Sequence, residues 1–182
     1  MKEGTIVDAT IIVAPSGTKN REQKRDPEMS QTKKGNQWYF GMKAHIGSDT
    51  TGGIVHHPET TAAKTHDRIP MKPLLHGNEK AIFGDKAYGK KEDKRAARAK
   101  GVLWAVADRG IPNHPLSASQ KKRNRKFSSV RSKAEHPFRV LKCQWKFVKV
   151  RYKGLFKNTM QLFALFSLAN LYRVRKTLLR TA

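Results

Sequence analysis

Three carboxylates in this chain stand in surroundings where metal-dependent phosphodiester chemistry would need them. Asp8 is the one charge in the β-branched, apolar run Thr5-Ile6-Val7-Asp8-Ala9-Thr10-Ile11-Ile12. Asp85 closes the short apolar run Ala81-Ile82-Phe83-Gly84-Asp85. Glu135 is the sole acid after Asp108, set among 19 Lys and Arg residues between Arg109 and the C-terminus. Breaking and joining phosphodiesters requires charge to be stabilised on both the attacking and the leaving oxygen. Two Mg²⁺ ions about 4 Å apart do this, held by two or three hard carboxylate ligands.

Each acid also has an ordinary alternative. A carboxylate in an apolar strand is costly to bury unless a cation, several N–H donors or a metal compensates it, so Asp8 needs one of these. Asp85, between Gly84 and Lys86, fits equally well as the start of a turn or the partner of that lysine. Glu135 in a basic helix is by default an ion-pair partner of Arg131, a weak contribution at a solvated surface. Arg131, Glu135 and Lys142 are spaced i, i+4, i+11 and share one helical face, which would set a carboxylate between two phosphate-seeking cations. Pro137 either kinks that helix or forces a new start.

The elements that would carry these residues follow from periodicity. Residues 5–12 read as a buried strand. Residues 14–36 are rich in Gly, Pro, Lys and Asn and read as a long loop. In residues 38–46, Trp38, Phe40, Met42, Ala44 and Ile46 fall on one face at period two, with Lys43 and His45 on the other. After a turn, residues 53–62 return as an antiparallel partner. A short helix is expected over 66–75, a strand over 81–85, a charged helix over 90–100 and a strand over 102–106. Residues 110–126 read as a Pro- and Lys-rich loop, followed by helices over 128–145 and 158–175. Residues 162–171 are apolar nearly all round and predict a buried helix. A hairpin followed by crossover units predicts an α/β fold: a ribonuclease-H-like mixed five-stranded sheet flanked by helices. If the first and fourth strands are neighbours, Asp8 and Asp85 meet at a strand end, where ligands of open α/β sheets gather.

Charge narrows the function classes. The chain of 182 residues carries 38 Lys and Arg against 14 Asp and Glu, a net of +24. Residues 1–90 are net +4 and residues 91–182 net +20. Such a basic half fits a polyanion, and nucleic acid is the commonest one. No basic amphipathic helix dominates, which argues against a membrane surface. The most apolar stretch is far shorter than the roughly 20 residues of a membrane span. A single cysteine, Cys143, excludes an internal disulfide and fits a reducing compartment. A cytoplasmic, nucleoid-associated protein is expected. The cations Lys121, Lys122, Arg123, Arg125 and Lys126 read as a phosphate-contacting loop in preference to an uninvolved solvated one. Trp145, Phe147 and Tyr152 fit core packing better than base stacking. His45, His56, His57, His66 and His76 lack a zinc spacing, and Ser128 and Ser129 lack a nucleophile elbow.

Four collinear motifs carry a family resemblance. They are Gly4-Thr5-Ile6-Val7-Asp8-Ala9-Thr10; Lys33-Lys34-Gly35-Asn36-Gln37-Trp38 with Phe40-Gly41-Met42-Lys43-Ala44-His45-Ile46-Gly47; Gly84-Asp85-Lys86-Ala87-Tyr88; and Ala134-Glu135-His136-Pro137-Phe138-Arg139. In these residues the chain resembles DDE-type bacterial insertion-sequence transposases of the IS-five group, over nearly its whole length. The resemblance implies a single catalytic domain over 1–182 that cleaves and transfers DNA strands. Asp8, Asp85 and Glu135 would be its catalytic metal ligands, with Mg²⁺ as cofactor, two ions in number, and Mn²⁺ as a substitute. Its partners would be double-stranded DNA, as transposon ends and target, and a second copy during synapsis. A related group's helix signature, a Tyr, Arg, Glu and Lys in order, is matched by Arg131, Glu135 and Lys142, while Ser128 stands at the Tyr position. Family members are usually longer, so an absent N-terminal end-binding region is expected. A non-catalytic basic DNA-binding protein and an inactive remnant are the alternatives. The first of these predicts steep salt dependence and indifference to removal of the acids.

Overall fold

The computed structural model describes residues 4–181, so the outermost residues of the expected 1–182 domain lie outside the described residues. Six strands form one sheet: β1 (Thr5–Val13), β2 (Ser30–Lys34), β3 (Gln37–Asp49), β4 (Val55–Ala62), β5 (Ala81–Gly84) and β6 (Leu103–Val106). Their order is β2-β3-β1-β5-β6, and β4 also pairs with β3. β1 and β3 are antiparallel, in register from Thr5↔Asp49 to Val13↔Gly41. β2 takes the first part of β3's far edge and β4 the rest. β5 runs parallel to β1, and β6 parallel to β5. This is the mixed ribonuclease-H-like arrangement, with one strand more than expected.

The extra strand is β2, which falls inside the expected loop. Its sequence, Ser30-Gln31-Thr32-Lys33-Lys34, has no apolar side chain to announce a buried face. Pairing Lys34 with Gln37 leaves Gly35-Asn36 as a two-residue turn, and Gly35 takes the positive φ of 61° such a turn favours at its first central position. Trp38 lies in this projecting hairpin and is 64 % exposed. The alternating pattern of β3 therefore becomes a core face only from Phe40 onward.

The pleat sorts side chains onto two faces. Ile6, Ile12, Met42, Ala44 and Ile46 pack with Phe138, Leu141, Leu162 and Phe166 of the helical layer. On the opposite face Val7 packs with Met71, Leu74, Tyr88 and Val106. Met71 and Leu74 come from a 3-10 turn, Ile69–Leu74, in place of the expected short helix, because Pro70 and Pro73 each remove a backbone donor.

Four α-helical segments lie among the described residues: α1 (Lys91–Ala99), α2 (Ala118–Arg131), α3 (Glu135–Arg139) and α4 (Leu155–Thr181). α2 starts ten residues before the expected boundary at 128, so Lys121, Lys122, Arg123, Arg125 and Lys126 lie on a helix and not in a loop. Ser117 sets that start: its hydroxyl accepts from the Gln120 amide (3.2 Å), and its own amide donates to Gln120 Oε1 (2.8 Å). Straight-chain cations then propagate a helix readily.

Pro137 resolves as a new start. A 3-10 turn, Ser132–Ala134, ends α2, and Pro137 lies in the first turn of α3, where no intrahelical donor is missed. A π-helical turn, Val140–Gln144, follows. α4 buries only one side: Leu162, Phe166 and Ala169 face the core, whereas Leu168 and Leu171 are more than half exposed. The expectation of an all-round buried helix fails because α4 covers a single face of the sheet. No helix among the described residues is long and apolar enough to cross a membrane.

Candidate active site

The β1–β5 ladder ends at Ile6↔Phe83, and β5 itself stops at Gly84, while β1 continues to Val13. From Asp8 to Ile12 the β5-side edge of β1 therefore has no strand beside it, which opens a notch in the sheet. Asp8 and Asp85 each lie two residues beyond Ile6↔Phe83, and Asp85 keeps an extended backbone (φ −81°, ψ −179°). Neighbouring strands are about 4.8 Å apart, so this register sets the two carboxylates side by side on the helix-covered face.

Asp8, Asp85, Glu135 and Arg131 line one cavity of about 490 Å³ in this notch. Asp8 Oδ1 accepts from the Ala9 amide at 2.9 Å, and Asp85 Oδ1 caps the turn Lys86–Tyr88 by accepting from the Ala87 amide at 2.8 Å. Each keeps its second oxygen for other partners. Burial pushes the Asp8 carboxyl up to about 6; the Ala9 amide and Arg131 pull it down, and the Asp85 and Glu135 charges add to the rise. Asp8 is thus a half-buried carboxylate with one N–H donor and one nearby cation, less compensation than an isolated charge in a strand requires.

Glu135 is exposed on the lip of the cavity. Its side chain makes no hydrogen bond or ion pair among the described residues, so the ordinary reading of it as the partner of Arg131 does not hold. The three acids offer hard oxygen donors of the type a divalent cation takes. Among the described residues, however, no three carboxylate, imidazole or thiol groups already stand at ligand spacing around one point. Asp8 and Asp85 form the inner pair, with Glu135 across the opening.

The expected cations divide. Lys121, Arg125 and Arg131 line a second depression of about 480 Å³ that shares Asp85 and Arg131 with the first, so a cationic path leads from helix α2 to the acids. Ser128 lies on that path too. Lys122 and Lys126 are exposed on α2 beside it. Arg123 is turned away and ion-paired with Asp108. Lys142 points to β1, donating to Thr10 Oγ1 and the Ile11 carbonyl, both at 2.6 Å. There it satisfies a carbonyl left open by the missing strand, and burial lowers its ammonium pKa.

Sequence reasoning assigned no site role to three residues of the opposite wall, Lys43, Asp67 and Tyr88. The sequence marks Lys43 as lying on the second face of its strand and as part of a motif, and Tyr88 as part of a motif. Asp67 follows β4 in a loop, with no local pattern to mark it. Lys43 Nζ donates to the Thr65 carbonyl at 2.8 Å and lies 2.8 Å from Asp67 Oδ1.

An acid-lined notch at the open edge of the first strand, in a sheet of this order, places the chain in the ribonuclease-H-like class of α/β domains. Within that class the sequence is decisive: residues 1–171 match the Transposase DDE domain, and the chain belongs to this family. Among solved structures it is similar to the catalytic core domain of BIV integrase, with 10 % identity and a TM-score of 0.40 over 94 % of this chain and 82 % of that one. It is also similar to a chain of the simian T-cell lymphotropic virus intasome in complex with PP2A regulatory subunit B56 gamma. There the identity is 15 % and the TM-score 0.36, over 93 % of this chain and 47 % of the other, so this chain spans about half the length of that relative.

Proposed function

We propose that residues 1–182 are a transposase catalytic domain that cleaves DNA at the ends of an insertion sequence and joins the freed end to target DNA. The observation that carries this reading is the notch where β5 ends and β1 continues. It gathers Asp8, Asp85 and Glu135 in one cavity with a cationic approach. Asp8 and Asp85 would ligate Mg²⁺, two ions in the working complex, with Mn²⁺ as a substitute, and Glu135 would complete the set from the helical side. The cations, when bound, stabilise charge on the attacking and leaving oxygens. Arg131, beside Asp8, orients the scissile phosphate, and Lys121, Lys122, Arg125 and Lys126 hold the flanking backbone. Lys142 fixes β1 against the helix and so keeps Asp8 in place. Double-stranded DNA is the partner, with a second copy at synapsis, in the bacterial cytoplasm at the nucleoid.

A duplex bearing the termini of the chain's own element should be nicked in Mg²⁺ and left intact in EDTA; equal nicking in both would remove the metal-dependent mechanism. The cationic path makes a separate prediction. Each phosphate contact contributes a slope of about −0.9 in log Kobs against log salt, so changing both Lys121 and Arg125 to Ala should flatten that slope by about 2. An unchanged slope would place the DNA elsewhere.

A further inference from the structure

The wall opposite Glu135 contains one buried oxygen without a partner among the described residues, the Tyr88 hydroxyl, and a second, Asp67 Oδ1, that is held only by an ion pair. Tyr88 is 1 % exposed, and its hydroxyl, on the lining of the acidic cavity, has no hydrogen-bond partner. Asp67 Oδ1 is buried as well and is paired with Lys43 Nζ at 2.8 Å. Leaving a buried polar atom unpaired costs about 1–3 kcal/mol, so an atom such as the Tyr88 hydroxyl ordinarily marks the place of a ligand or an ordered water.

Local structure holds Tyr88 in this position. A Cβ on Gly84 would lie 3.1 Å from both Tyr88 Cδ2 and Val7 Cγ2, so the missing side chain lets the ring lie flush against the end of β5. Asp85 caps the single turn that presents the ring, which couples Tyr88 to the inner acid pair. The ring body packs with Val7, Met71, Leu74 and Val106 while its polar end lies with the acids. Burial first, then the charges of Asp67, Asp8 and Asp85, hold the phenol well above its ordinary pKa, so it carries its proton. A neutral hydroxyl both donates and accepts, and Asp67 accepts. Together they suit the water shell that a Mg²⁺-like ion retains on binding.

We propose that Asp67 and Tyr88 are positioning residues that hold the water shell of the divalent cation ligated by Asp8. This rests on the metal-dependent reading above. Hydrogen-bonding partners behind a metal site commonly contribute 10–100-fold to affinity.

The test titrates the full chain with Mn²⁺ alone, following the free ion by electron paramagnetic resonance, together with thermal unfolding of the metal-free protein. Tyr88→Phe should keep or raise the metal-free Tm, because it deletes an unsatisfied hydroxyl, while weakening the Mn²⁺ midpoint about tenfold. Asp67→Asn should weaken it by a similar factor. A variant that binds Mn²⁺ with the wild-type midpoint removes its residue from the wall. A fall in the Tyr88→Phe Tm with an unchanged midpoint makes the hydroxyl purely structural. If wild type binds Mn²⁺ and Asp8→Asn does not, the metal reading stands whatever the two wall variants show; absence of wild-type binding overturns both proposals.

Discussion

Asp85→Asn is expected to reduce strand cleavage at least 10³-fold, about 4 kcal/mol of transition-state stabilisation, while duplex affinity stays within about twofold of wild type. The choice of Asn over Ala matters. Asp85 Oδ1 accepts from the Ala87 amide and so starts the turn Lys86–Tyr88. Alanine removes that cap, which costs about 1 kcal/mol, along with the charge. Asparagine keeps the accepting oxygen and loses only the charge, so a change in cleavage reports on chemistry and not on the turn. Affinity should hold because the cationic path through Lys121, Arg125 and Arg131 is untouched. Single-turnover cleavage of an end-bearing duplex, measured alongside filter binding of the same duplex, checks both halves. Cleavage within tenfold of wild type would take Asp85 out of the metal site.

The acids were legible in the sequence because each broke a local pattern. Asp8 interrupts a β-branched run, Asp85 ends an apolar one, and Glu135 is alone among cations. Their meeting depends on strand order and on where β5 stops, which the crossover pattern anticipated as a neighbourhood of first and fourth strands. The notch itself was not legible. It arises because β1 runs on for seven residues past their last shared pair at Ile6↔Phe83 while β5 runs on for one, and strand length on one side of a sheet says nothing of length on the other.

Two misreadings have a common physical source. Ser30 to Lys34 and Ala118 to Lys126 are both polar, and hydrophobic periodicity cannot see a polar segment. β2 is held by backbone pairing to β3, and α2 by a capping box and helix-favouring cations. The Ser117…Gln120 pair was available as a local start signal, although Pro112 and Pro115 nearby gave the segment the composition of a loop. The opposite wall was less accessible still. Asp67 reaches the cavity from the segment between β4 and the turn Ile69–Leu74, over a long sequence separation from both Asp8 and Tyr88. Nothing in its own neighbours, Thr65, His66 and Arg68, distinguishes it from a surface acid.

Asp8→Asn is expected to abolish cleavage and, in the absence of metal, to stabilise the fold. Burial holds the Asp8 carboxyl at about 6 in the folded chain, against an ordinary value of 3.8. Above pH 6 the carboxylate is therefore charged in both states and less well accommodated in the folded one, a penalty of ~2–3 kcal/mol. Below pH 4 it is protonated in both states and the penalty is gone. Asparagine never carries it, and its side-chain oxygen can still accept from the Ala9 amide. At pH 7.5 in EDTA the variant should thus melt roughly 5–10 °C above wild type. The difference should shrink as pH falls through 6 and vanish near 4. Groups that titrate in both proteins cancel in this difference, which isolates Asp8. A variant that melts below wild type at pH 7.5 would mean that Arg131 and the Ala9 amide already compensate the charge, making Asp8 a structural acid. The expected result identifies a destabilising charge that the empty fold tolerates, and a divalent cation is the partner that would convert it into a favourable one.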